Sequence, residues 1–244
     1  MSARGRAGGA GLTVEGIILE LERRKHPEAL EGMARYGIDV TRAYGIAMPC
    51  LREIAKRAGR DHALAERLWK TGLREARIVA AMVDDPRAVT GKQMERWVKD
   101  FDSWDVCDGA CLHLLSRAGP AWEKASEWSG RTAEYQKRAG FVLMAQLAVH
   151  DKKAADERFL AFLPIIRRES GDARNFVKKA VNWALRQIGK RSLSLNRAAI
   201  RTAREIAQID SQAARWVAAD GIRELTGAEV QRRLRAKETK RTRR

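Results

Sequence analysis

Residues 101–108 read Phe-Asp-Ser-Trp-Asp-Val-Cys-Asp, an aromatic and acidic cluster in a 244-residue chain whose formal net charge is +17. On a helix, Trp104 and Asp108 stand at i and i+4 and share one face. A carboxylate beside an indole, on a surface that otherwise attracts phosphate, points to chemistry on a nucleic acid rather than plain adhesion to one. Two further stretches offer partners of suitable type. Tyr135-Gln136-Lys137-Arg138-Ala139 sets cations next to an aromatic ring, and Val181-Asn182-Trp183-Ala184-Leu185-Arg186 carries a second indole. Taken singly, each has a plain structural reading: Trp183 as core, Asp108 as a bond within the helix stack, Arg138 on a solvated face.

Other chemistries find little support. Glu123, Glu127 and Glu134 form no convincing pair with Asp108, so a two-carboxylate glycosidase mechanism is not indicated. Cys107 and Cys111 lie at i,i+4 near His113, but no second Cys/His pair completes a tetrahedral metal set, and small buried helix residues are the expected role. The remaining histidines (His26, His62 and His150) are scattered. Gly8-Gly9-Ala10-Gly11 has no preceding strand, which rejects a dinucleotide fingerprint. Neither metal nor cofactor is expected.

The elements that must position these residues read as helices throughout. Thr13 caps a stripe of Val14, Ile17, Ile18 and Leu21; Asp61 and Thr90 cap later runs, and Pro27 and Pro49 sit at helix starts. No alternating period-two segment appears, so no strand is expected. Three segments beginning at Glu75, Lys137 and Lys178 align with one another; with the helix at 104–116 falling between the first two and that around Trp216 after the third, spacings of about 30–41 residues fit a two-helix unit of the HEAT or armadillo kind. The predicted fold is all-α: a curved superhelical solenoid of HEAT-like antiparallel pairs with about 11 to 14 helices, whose concave face is the natural groove. Residues 1–12 are expected to be disordered, 13–230 to form the repeat domain and 231–244 to be a basic tail.

Charge sharpens the choice of partner. There are 48 Lys and Arg against 31 Asp and Glu, so counterion release favours nucleic acid. Arg77, Lys137, Arg138, Lys178, Lys179 and Arg186 are the cations expected on the concave face. Three cysteines without framework spacing fit a reducing compartment, and neither a membrane span nor a secretory leader is evident. A cytoplasmic monomer is expected.

The order and spacing of Trp104-Asp-Val-Cys-Asp108, Gln136-Lys-Arg138-Ala139 and Asn182-Trp183-Ala-Leu-Arg186 resemble the AlkD family of DNA alkylation repair glycosylases. Met33-Ala34-Arg35-Tyr36 and Gly45-Ile46 are similar too, so the resemblance spans about residues 13–225. It implies duplex DNA carrying alkylated bases held in the concave face of a C-shaped stack, and hydrolytic release of cationic N3- or N7-alkylpurines, without a required base flip. It also implies Asp108 as catalytic carboxylate, Trp104 and Trp183 as aromatic walls, Arg138 on a backbone phosphate and Tyr36 as a DNA-facing aromatic. Ala47 departs from the polar residue the family carries there, which bears on substrate scope more than on chemistry. A cationic purine leaves as a neutral base without a general acid, so one ionised carboxylate facing an oxocarbenium-like sugar suffices. The alternatives are a non-catalytic HEAT-like protein gripping damaged or branched DNA, and a protein-binding helical scaffold.

Overall fold

Short polar side chains start several helices by accepting a backbone N–H that no turn of helix can satisfy. Thr13 accepts from Gly16 at 3.1 Å, Asp61 from Leu64 at 2.8 Å, Thr90 from Gln93 at 3.2 Å and Ser192 from Leu195 at 3.1 Å. The computed structural model describes residues 12–242, and nearly all of the expected disordered N-terminus lies outside them. The described residues hold fifteen α-helices, a single 3₁₀ turn and no strand.

The chain divides into two compact units, one ending at Ala88 and the other beginning at Val89. The first contains α1 (Val14–Arg23), α2 (Glu28–Arg35), α3 (Met48–Ala58), α4 (His62–Lys70) and α5 (Arg74–Val83). Its loop over 44–46 is fixed from α5. The buried Glu75 carboxylate accepts from the backbone N–H groups of Tyr44, Gly45 and Ile46 at 3.0, 3.1 and 3.3 Å, and Arg74 neutralises it at 2.9 Å. Gly45 has φ +74, and a Cβ there would sit 2.2 Å from the His26 carbonyl oxygen, so only glycine fits.

The second unit contains α6 (Gly91–Lys99), α7 (Trp104–His113), α8 (Ala121–Ser129), α9 (Glu134–His150), α10 (Asp156–Leu160), α11 (Leu163–Glu169), α12 (Asn175–Gly189), α13 (Leu193–Ile206), α14 (Gln212–Thr226) and α15 (Ala228–Thr242). Sequential neighbours joined by short loops pack on one another, as α8 does on α9 and α13 on α14. A second set of contacts runs α7 to α9, α9 to α12 and α12 to α14. Here the repeat shows directly: Arg138 to Phe176, Asn182 to Asp220 and Arg186 to Glu224 are all bonded 38 positions apart. α9 is almost wholly buried along Arg138–Ala148, and Gly140 lets it approach α8 so closely that a Cβ would lie 2.4 Å from the Ser129 nitrogen.

Two features differ from the sequence reading. The run over 153–167 breaks into α10 and α11, because Phe159 and Phe162 both turn inward against Trp122 and Pro164 cannot continue a helix. The expected tail boundary at 230 falls inside α15, which docks through Leu234, 2% exposed, and through Lys237 Nζ on the Lys190 carbonyl at 3.2 Å.

Candidate active site

α7 begins at Trp104, which puts Asp108 one turn further along the same helix. The same helix turns Val106, Cys107, Ala110 and Cys111 into the core. Cys107 Sγ lies 3.6 Å from the Tyr135 carbonyl and Cys111 Sγ 3.9 Å from that of Ala139, so both thiols seal α7 onto α9. Burial pushes the Cys107 thiol well above its ordinary value, with Cys111 and Asp108 adding to the shift, so it stays neutral. This seating turns Asp108 towards the same neighbour.

Asp108 and Arg138 meet in a two-pronged fork: Arg138 Nε donates to one carboxylate oxygen at 2.8 Å and Nη2 to the other at 2.7 Å. The third arm, Nη1, donates to the Phe176 carbonyl in the first turn of α12. One guanidinium thus ties α7, α9 and α12 together. The Arg138 side chain is 7% exposed and that of Asp108 20%, so the carboxylate is the member that faces outward. Burial pushes the Asp108 carboxyl up and Arg138 pulls it back down, with Asp105 adding to the upward push. Burial also works against the Arg138 charge, yet Asp108 holds it above its ordinary value.

The fork bears on the reading of Arg138. Expected on a backbone phosphate, it commits three of its five N–H donors to Asp108 and a main-chain carbonyl. A buried guanidinium requires a buried acceptor set, and a carboxylate matches its planar geometry. Trp183 stands half-buried on α12, seven residues or two turns past Phe176. Trp104 is half-buried at the first residue of α7. Tyr36, 76% exposed at the end of α2, and Arg77 on α5 belong to the other unit.

The remaining cations divide by environment. Lys137 is engaged by Glu169 at 2.6 Å and Asp172 at 3.3 Å, and Arg186 by Glu224 and Asp220, so neither offers an uncommitted charge to phosphate. Arg77 lies over the Trp69 ring at 5.5 Å. Lys178 sits 5.0 Å from the centre of the exposed Trp216 ring, and Lys179 is exposed. Two contributors escaped the sequence reading. The Phe176 carbonyl is main chain and leaves no side-chain signal, whereas Asp105 was legible as a second acid three residues before Asp108.

Among the described residues, no helix is long and apolar enough to cross a membrane. No curated protein matches the chain. A solved structure, described as a new family of proteins related to the HEAT-like repeat DNA glycosylases with affinity for branched DNA structures, superposes with a TM-score of 0.72 at 19% identity, covering 85% of this chain and 93% of that one. At that identity the likeness establishes the fold, all-α and of the HEAT-like repeat kind. The family model described as DNA alkylation repair enzyme matches residues 17–225, a span that includes every candidate residue above. The chain belongs to the DNA alkylation repair enzyme family.

Proposed function

We propose that the protein hydrolyses the N-glycosidic bond of cationic N3- and N7-alkylpurines in duplex DNA, working as a cytoplasmic monomer without a cofactor. The observation that carries this reading is the Asp108–Arg138 fork: a partly exposed carboxylate, fixed in plane by a buried guanidinium, at the start of a helix that also carries Trp104. An alkylated purine already bears positive charge, so its departure as a neutral base needs no proton donor. The sugar left behind is oxocarbenium-like, and Asp108 stabilises it while accepting a hydrogen bond from the attacking water. Arg138 acts as a positioning residue, keeping Asp108 ionised and in one rotamer. Trp104 and Trp183 supply indole faces for the cationic base and the sugar, each worth ~0.5–2 kcal/mol. Tyr36, Lys178 and Lys179 serve as contacts to the DNA.

The test is release of 7-methylguanine from alkylated duplex DNA. Asp108→Asn should cut the rate about 10²–10³-fold, the usual cost of losing one placed electrostatic stabiliser, while duplex affinity is kept. Equal rates for the two proteins would sink the assignment. A second reading, a non-catalytic protein for branched DNA, draws support from the affinity for branched DNA of the solved relative. It would replace the first if neither protein released base while both bound a branched duplex.

A further inference from the structure

The second unit holds a cleft of about 1010 Å³ at the far ends of α9 and α12. Arg138 and Ala148 are ten residues apart on α9, which places the cleft roughly 15 Å along the helix axis from the Asp108 fork. Its walls come from the segment after α9, the first turns of α13 and one face of α15, and they bring together Lys152, Arg197, Arg233 and Lys237. Among the described residues no carboxylate pairs with any of these four. The neighbouring Lys190 and Arg191 are structural. Lys190 is held by Glu224, and Arg191 donates to the carbonyls of Ala148 at 3.2 Å and Ala154 at 2.6 Å.

Like charges do not gather in a cleft for stability, because each raises the cost of the next. Burial, together with Lys152, Arg233 and Arg191, pulls the Lys237 ammonium below its ordinary value, although its Nζ also donates to the Lys190 carbonyl at 3.2 Å. The cleft also contains Leu193 and Ser194, the first residues of the fourteen-residue helix α13, whose N–H groups have no turn before them to bond. The acids present are committed or peripheral. Asp156 accepts from Ser192 Oγ and lies 3.8 Å from Arg191, Glu157 is exposed at the rim, and Glu238 is already engaged.

We propose that this cleft is a phosphate-binding site separate from the Asp108 centre, taking phosphoryl oxygens presented by a nucleic-acid strand or by a free polyphosphate chain. Arg197 and Arg233 grip the oxygens, Lys152 and Lys237 supply charge, and the start of α13 adds N–H donors. The basic C-terminal segment thereby gains a defined role, since α15 carries two of the four cations. The site does not depend on the excision reading, and its two binding probes are independent of it.

The test compares wild type, Arg197→Gln/Arg233→Gln and the charge-matched control Arg201→Gln/Arg204→Gln, whose exposed side chains lie on α13 outside the cleft. All four positions are exposed, so the fold should survive each change. Inorganic tripolyphosphate, titrated calorimetrically, should bind wild type and the control alike and the cleft variant roughly tenfold more weakly. The salt dependence of duplex affinity should lose a slope of about 0.9 for each phosphate contact removed, in the cleft variant beyond any loss in the control. Single-turnover release of 7-methylguanine at saturating protein should be unchanged. Weaker tripolyphosphate binding with an unaltered DNA slope assigns the site to a free polyphosphate. No binding of tripolyphosphate, or equal loss in cleft variant and control on both probes, overturns the proposal.

Discussion

Asp108 and Arg138 form one ion pair whose guanidinium is buried and whose carboxylate is partly exposed. Removing one partner of such a pair leaves an uncompensated charge, at a typical cost of 3–5 kcal/mol, whereas removing both is close to neutral. Arg138→Gln is therefore expected to lower stability by roughly that amount in urea unfolding, and Asp108→Asn/Arg138→Gln to recover most of it without recovering activity. In the proposed excision the ionised carboxylate is the working form, and its folded value is raised by burial. Activity should thus fall on the acid side, and at a higher pH than an exposed carboxylate would impose. Arg138→Lys keeps the charge but loses the fork, and should move that limb higher still. A single-turnover pH–rate profile checks the direction, and a limb that stays in place would separate Asp108 from the chemistry.

At the level of elements, two glycines set distances that no other residue permits. Gly140 marks where α9 meets α8, and a Cβ 2.4 Å from the Ser129 nitrogen forces the pair apart. Gly140→Ala should cost about 1–3 kcal/mol as overpacking and should also loosen Arg138, two residues earlier on α9. Gly45→Ala combines a positive φ with a backbone clash, so a loss of at least ~2 kcal/mol is expected in thermal unfolding. Helix starts were legible because a cap and its first turn lie within four residues of one another. The division of 153–167 was not, since it depends on Trp122, over thirty positions upstream, drawing in Phe159 and Phe162.

For the whole molecule, charge count and charge availability are different quantities. The chain carries +17, yet Lys137 and Arg186 are tied to acids of their own unit. Lys179→Ala should reduce the salt slope of duplex binding by about 0.9, and Lys137→Ala should leave it nearly unchanged. The same internal pairing governs acid stability. Burial works against the Glu95 and Asp172 charges, but bonds from Trp128, Arg131 and Lys124 to the first, and from Arg174 and Lys137 to the second, bring both to about 2. A folded value below the unfolded one means stability that is present above the ordinary carboxylate range and is lost as pH falls towards 2. Each group is linked to roughly 2–4 kcal/mol, so unfolding monitored by circular dichroism should set in between pH 4.5 and 2. Glu95→Gln should flatten that decline.

By itself the sequence determined the all-α class, the helix starts at Thr13, Asp61 and Thr90, the spacing of the repeat and the order of the residues that mark the family. Those signals are local, written in a 3.6-residue period and in caps a few positions long, or they are matters of residue identity alone. Tertiary structure decided which cations are spent and which are available. Arg138 finds Asp108 thirty positions back and Phe176 thirty-eight ahead, and Arg186 finds Glu224 at the same thirty-eight. No local rule selects such partners. They are chosen by which helices stack, and by the cost of burying an ion without one. For the same reason the basic segment after 230 docks as part of helix α15, with Leu234 in the core and Arg233 and Lys237 at the cleft.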